Sequence, residues 1–115
     1  MTDQLWRSSA SMMALRERAQ LLKRMREYFD RQGVMEIETP ILSGSATVDA
    51  YIESFTSEYI PIGTDQTQLC YLRTSPEFAM KRLLSSGSGD IYSLGRVFRN
   101  GEAGGRHNPE FTMLE

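Results

Sequence analysis

Leu15, Ala19, Leu22, Met25 and Phe29 recur at spacings of 4, 3, 3 and 4, which lines up all of them on one face of a helix. Arg16, Arg18, Lys23, Arg24 and Arg26 decorate the remaining surface. Gly33 follows, placed to end that helix in a left-handed conformation. The chain then turns extended at once over residues 34–42, where Pro40 restricts Thr39 to β-like angles. A proline inside such a run marks an edge or an interrupted strand.

The rest of the chain alternates in the same way. Residues 43–50 are small and polar and read as a loop, and 51–62 read as a strand pair broken by Pro61 and Gly63. Residues 69–73 form a further short strand. Thr74 or Ser75 then caps a second helix with Pro76 at its first position, and Ala79, Met80, Leu83 and Leu84 give it a core face. Residues 85–89 end it. A strand over 91–98, a glycine-bearing loop over 100–106 and a returning strand over 109–114 complete the chain. Helices interleaved with mostly antiparallel strands imply an α+β fold.

Composition excludes several classes of function. With 13 Lys+Arg against 15 Asp+Glu in 115 residues the net charge is 13 − 15 = −2, so bulk electrostatics do not hold this chain on nucleic acid or acidic membrane. A lone cysteine, Cys70, rules out an internal disulfide and, with a single His, a paired-Cys metal site. The sequence holds no apolar run of the ~20 residues that cross a bilayer, and residues 1–6 lack the basic start and apolar run of a secretion signal. The expectation is a cytoplasmic protein with no membrane partner and no metal ligands of its own.

Residues 97–115 carry the most chemistry. Arg99 leaves one strand, a loop with Gly101, Gly104 and Gly105 follows, and Phe111 stands on the returning strand. Arginine offers a planar fork of donors suited to phosphate oxygens. Phenylalanine offers a flat face on which an adenine can stack, and glycines let backbone approach a nucleotide closely. The same residues also fit a charged hairpin with a solvated loop and a core Phe, and spacing alone leaves both readings open.

Residues 99–115 resemble motif 2 of the class II aminoacyl-tRNA synthetases, and 107–115 (His-Asn-Pro-Glu-Phe-Thr-Met-Leu-Glu) resemble its lysine-specific branch. Residues 33–42, centred on Pro40, are similar to motif 1, the helix and strand of the dimer interface. Residues 74–83 are similar to the amino-acid-binding helix of that branch. Only about 14 residues precede the first helix, and Trp6, residues 9–11 and residues 101–104 resemble the truncated paralogues of lysyl-tRNA synthetase, the elongation factor P (R)-β-lysine ligase subfamily. The resemblance implies an N-terminal segment over 1–14 and, over 15–115, the N-terminal part of a class II catalytic domain, its antiparallel sheet flanked by helices, without the third motif. It implies a homodimer through the motif-1 strand, ATP with Mg²⁺ as cofactors, and β-lysine or lysine with elongation factor P as partners, rather than tRNA.

The resemblance also assigns roles. Arg99 contacts the α-phosphate of ATP and stabilises charge as the substrate carboxylate attacks. Asn100, the Gly101 backbone and Asn108 hold the nucleotide, His107 reaches its β- or γ-phosphate side, and Phe111 stacks on adenine. Ser75 and Pro76 shape the substrate wall, Glu77 pairs with the amine at the substrate's backbone end, and Glu115 accepts from the distal ammonium. Two carboxylates suit a diamino acid, since a buried ammonium without a partner is costly.

Each assignment has a plainer rival. Glu77 also suits the dipole of its helix N-terminus, worth ~0.3 to 1 kcal/mol. Glu115 also reads as a solvated terminal residue and His107 as a hairpin hydrogen-bonder. Asp49 and Glu53 read as surface charges, Cys70 as a small buried apolar group, and the basic residues of the first helix as a solvated face or a dock for acidic protein. The family commonly has glutamate two residues after the motif-2 arginine, where this chain has Gly101 followed by Glu102. Without a third motif, the 115 residues alone are expected not to form adenylate at a useful rate, and their open sheet edges to favour self-association. The rivals to a β-lysine ligase are the core of a lysyl-tRNA synthetase and a non-catalytic binding module.

Overall fold

The computed structural model describes residues 4–102 and 104–115. The chain divides into two compact units, the first ending at Val34 and the second spanning Met35–Glu115. The first unit is built on α1 (Met12–Arg31). Ser11 holds extended backbone angles and its hydroxyl accepts from the Ala14 N–H at 3.0 Å, a side-chain N-cap. At the other end Gly33 has φ 71°, its N–H donates to the Asp30 carbonyl at 3.1 Å, and the Val34 N–H donates to the Phe29 carbonyl at 3.0 Å. This bond pair needs a left-handed residue at position 33, which glycine adopts without steric cost. Of the expected apolar stripe, Leu22, Met25 and Phe29 are half-buried and Leu15 and Ala19 are exposed.

The second unit holds β1 (Met35–Glu36), β2 (Leu42–Ser43), β3 (Thr56–Tyr59), β4 (Gln68–Leu72), α2 (Glu77–Ser85), β5 (Ile91–Tyr92), β6 (Leu94–Phe98) and β7 (Glu110–Leu114). Its strands pair in three groups: β1 parallel to β5, the antiparallel set β2-β4-β3, and the antiparallel hairpin β6-β7. The fold is thus mixed helix and sheet with antiparallel sheets, as expected, plus one parallel pair that was not.

Three local expectations need correction. Residues 51–62 form one strand, β3, instead of a pair, because the partner of β3 is β4. By contrast, the extended run around Pro40 is interrupted as the proline implies, into β1 and β2, which serve different sheets. The strand expected over 91–98 breaks at Ser93, where the chain changes partners. The Tyr92 carbonyl accepts from the Ile37 N–H at 2.9 Å, whereas Ser93 exchanges both backbone bonds with Glu115, at 2.8 and 3.0 Å. One strand cannot satisfy β1 and β7 on the same ladder, so it divides. Helix α2 starts at Glu77 with Pro76 at the cap position, and the Ser75 hydroxyl accepts from the Glu77 N–H at 3.3 Å. This moves the expected first position by one residue.

Cys70, Pro76, Met80, Tyr92 and Val97 are buried apolar residues, with Thr74 and Ser93 as buried polar ones. Cys70 is a free thiol in this core, as its small apolar character suggests. Val97, the fourth residue of β6, is 0% exposed, while Ile62 beyond β3 is fully exposed. Truncating each to alanine is expected to separate the two environments in urea denaturation. Val97→Ala should lower stability by about 2 kcal/mol, and Ile62→Ala should stay within about 0.5 kcal/mol.

Candidate functional site

The hairpin register builds the centre of the site. Val97 faces Phe111 across the ladder, and Arg99, two residues on, returns to the same face. The Arg99 N–H donates to the Pro109 carbonyl at 2.9 Å, which closes the hairpin just beyond the ladder. The Arg99 guanidinium carbon lies 5.4 Å from the centroid of the Phe111 ring, a cation–π distance, and its Nε–H donates to the Thr74 carbonyl at 3.3 Å. Both side chains are half-buried. The arginine and the aromatic ring singled out from sequence therefore meet in one place.

Arg99 also lines a cavity of about 280 Å³ together with Ser75, Glu77 and Glu115. Glu77 comes from the first turn of α2 and pairs with Lys81 one turn on at 2.9 Å. That hydrogen bond and the charge of Glu77 hold the Lys81 amine above its ordinary value. Glu115 follows β7 and is fixed by its paired backbone bonds to Ser93. Burial raises the Glu115 carboxyl above the usual carboxylate range, and the Glu77 charge raises it further, against the opposing pull of Lys81 and Arg99. A guanidinium with free donors and two mutually repelling carboxylates on one cavity suit a ligand carrying both an anionic group and ammonium groups.

The other sequence-derived residues are placed differently. Pro76 is buried and lines a neighbouring cavity of about 740 Å³, which Ser75 also borders. Asn100, Gly101, His107 and Asn108 lie on the exposed hairpin turn and line neither cavity. The Asn100 N–H donates to the Glu53 carbonyl at 2.9 Å, and the His107 N–H to the Gly104 carbonyl at 3.3 Å. Of residues 101–104, position 103 lies outside the described residues.

Asp49, Ile52, Thr74, Met113 and Leu114 also line the smaller cavity and carry no site role in the sequence reading; two of them are polar. Asp49 borders it although it reads as a surface charge, and Thr74 supplies the carbonyl that holds Arg99 although it reads as a helix cap. Asp49 reaches the cavity through tertiary ties: the Thr74 hydroxyl donates to the Thr47 hydroxyl at 3.2 Å, and Glu53 bridges to Asn100. No local pattern announces those contacts. Among the described residues no group of His, Cys, Asp and Glu side chains is placed to hold a metal ion, and no helix is long and apolar enough to cross a membrane.

The family described as class II tRNA synthetases (D, K and N) matches residues 3–115. The chain is 51% identical over its whole length to the elongation factor P–(R)-β-lysine ligase of Pseudoalteromonas translucida, covering 36% of that protein. It is 48% identical, over the same shares, to the ligase of that name from Vibrio cholerae. With the one from Mannheimia succiniciproducens the identity is 49% over 98% of the chain and 35% of the relative. The chain thus spans about a third of the length of these relatives.

The raised carboxyl of Glu115 generates a stability test. The folded chain binds this proton more tightly than the unfolded chain does. The resulting stabilisation is full below the unfolded value, about 4.3, and is lost as pH rises through the raised value. Glu115→Gln carries no charge at any pH. In urea denaturation its stability relative to the unsubstituted chain should therefore rise as pH climbs through and above the usual carboxylate range and flatten below that range, a modest change because the residue is largely solvated.

Proposed function

The chain belongs to the class II tRNA synthetase family (D, K and N), and from that premise we propose that it supplies part of an ATP-dependent ligase. In this reading the whole protein activates (R)-β-lysine as an adenylate and transfers it to a lysine side chain of elongation factor P, as the names of its relatives suggest. Residues 15–115 are the N-terminal part of the catalytic domain, whose antiparallel sheet is flanked by helices. The observation that carries the reading is Arg99, held against Phe111 on the cavity that Glu77 and Glu115 share.

ATP supplies an activated α-phosphate with pyrophosphate as leaving group. Arg99, already oriented by Phe111 and the Thr74 carbonyl, places its free donors where negative charge grows as the substrate carboxylate attacks. Little reorganisation is needed at that moment, which is how a preset charge lowers a barrier. Phe111 offers an aromatic face to adenine, and the hairpin residues Asn100, Gly101, His107 and Asn108 reach the nucleotide from the exposed turn. Glu77 takes the amine at the substrate's backbone end and Glu115 the distal ammonium, with Ser75 and Pro76 forming the wall. An entering diammonium substrate relieves the Glu77–Glu115 repulsion and displaces Lys81 as the partner of Glu77. The described residues offer no ligand set for Mg²⁺, and no step here runs through it.

Other features fit the same protein. Met35, Ile41 and Leu42, on the segment similar to motif 1, are exposed apolar side chains suited to a homodimer interface. The free buried Cys70 suits a reducing cytoplasm.

ATP–pyrophosphate exchange, run with a protein of the relatives' full length, tests the reading. Exchange should be faster with (R)-β-lysine than with α-lysine, and Arg99→Ala should lower kcat by roughly 100-fold or more. Faster exchange with α-lysine together with tRNA charging would replace this reading with a lysyl-tRNA synthetase. Absence of both exchange and ATP binding would leave a non-catalytic binding module.

A further inference from the structure

Arg73, which directly follows β4 and lines the larger cavity, is absorbed by none of the roles above, yet its side chain makes three directed bonds. Its Nε–H donates to the Arg96 carbonyl of β6 at 2.9 Å. Its Nη1 donates to the Thr39 carbonyl at 3.2 Å and to the Thr39 hydroxyl at 2.9 Å. Its backbone works in parallel: the N–H donates to the Ile41 carbonyl at 2.8 Å, and the carbonyl accepts from the Phe98 N–H at 2.9 Å. One residue therefore ties together the segment around Pro40, the end of β4 and the end of β6. The next residue, Thr74, is 1% exposed and accepts from Arg99 Nε–H.

We propose that Arg73 is a positioning residue for Arg99, locking the Arg73–Thr74 segment to the end of β6 so that the Thr74 carbonyl stays where it orients the Arg99 guanidinium. Two acceptors on successive residues address two successive positions of the other segment: the carbonyl of 73 takes the backbone of 98, and that of 74 takes the side chain of 99. A slip between β4 and β6 would misplace both bonds, and the Arg73 fork opposes that slip by bonding β6 and Thr39 at once. A planar guanidinium can serve acceptors in several directions in a fixed geometry, whereas an ammonium cannot hold the same set.

Gly95 belongs to the same device. A Cβ at that position would stand 2.8 Å from Arg73 Nη2, so the guanidinium lies against β6 and its tip would have to shift if residue 95 carried a side chain. Burial here holds the Arg73 guanidinium below its ordinary value, partly offset by Glu38, which is a cost for a group whose only task were to remain charged.

The proposal rests on Arg99 being the phosphate-facing group, so its test includes a readout that needs no turnover. In ¹H–¹⁵N spectra the Arg99 Nε–H resonance is identified by its disappearance in Arg99→Lys. In Arg73→Gln and in Gly95→Ala, which keeps Arg73 but evicts its guanidinium, that resonance should move toward the position of exposed arginines and exchange with solvent at least ~10-fold faster. Dispersed backbone amides would show that the fold persists, and Gly95→Ala decides the matter if Arg73→Gln does not fold. In pyrophosphate exchange by the full-length protein, kcat of the folded variants should fall ~10- to 100-fold with a smaller change in KM for ATP, and Arg73→Lys should lie between them and the unsubstituted enzyme. An unshifted Arg99 resonance in folded Gly95→Ala, or a loss of kcat no larger than the unfolded fraction, would overturn the proposal. A shifted resonance in a protein that catalyses no exchange would instead sink the ligase reading and leave the positioning role standing.

Discussion

The β6-β7 ladder is the interaction on which the other features of the second unit depend. It is a five-residue antiparallel pairing, and Val97 within it is fully buried. Burial fixes the register, because a one-residue slip of β6 would turn Val97 to solvent and drive Arg96 inward. With the register fixed, Arg99 and Phe111 have no choice but to share a face. Glu115, just past the end of β7, is carried to the cavity by the same ladder and held there by Ser93. A single packing preference at position 97 thus aligns an arginine, an aromatic ring and a carboxylate that are spread over 17 residues of chain from Arg99 to Glu115.

Much of this was legible in the sequence, for a physical reason. The first helix, its glycine stop, the second helix and the hairpin are set by contacts a few residues apart, and periodicity records such contacts directly. Arg99 and Phe111 belong to that category, since a hairpin converts sequence spacing into register. The parallel pairing of Met35 with Ile91, the division of a strand at Ser93 and the single strand at Thr56–Tyr59 are of another kind. Each is decided by which distant segment takes up a backbone group, and local composition carries no trace of that competition. Asp49 and Thr74 were missed on the same ground, because their places in the cavity follow from ties between Thr47 and Thr74 and between Glu53 and Asn100.

The charges of the cavity are balanced in a way that leaves it receptive. Glu77 leans on Lys81, but both side chains are substantially solvated, so the pair is easily exchanged for another. Glu115 has no comparable salt bridge among the described contacts and feels both burial and the negative charge of Glu77. Arg99 is held by one carbonyl and one ring, which constrain its direction without neutralising it. Placing the cation under geometric control while leaving the anions undercompensated favours a ligand of mixed charge over a simple anion or cation.

The crowding of Arg73 against Gly95 has an evolutionary corollary. Any side chain at position 95 competes for the volume that the arginine tip occupies, so the two sites are not free to drift independently. A side chain there is accommodated once the arginine tip swings aside, which gives up its bonds to Arg96 and Thr39. Changing either residue therefore alters the setting of the other, which makes 73 and 95 one coupled site instead of two separate preferences.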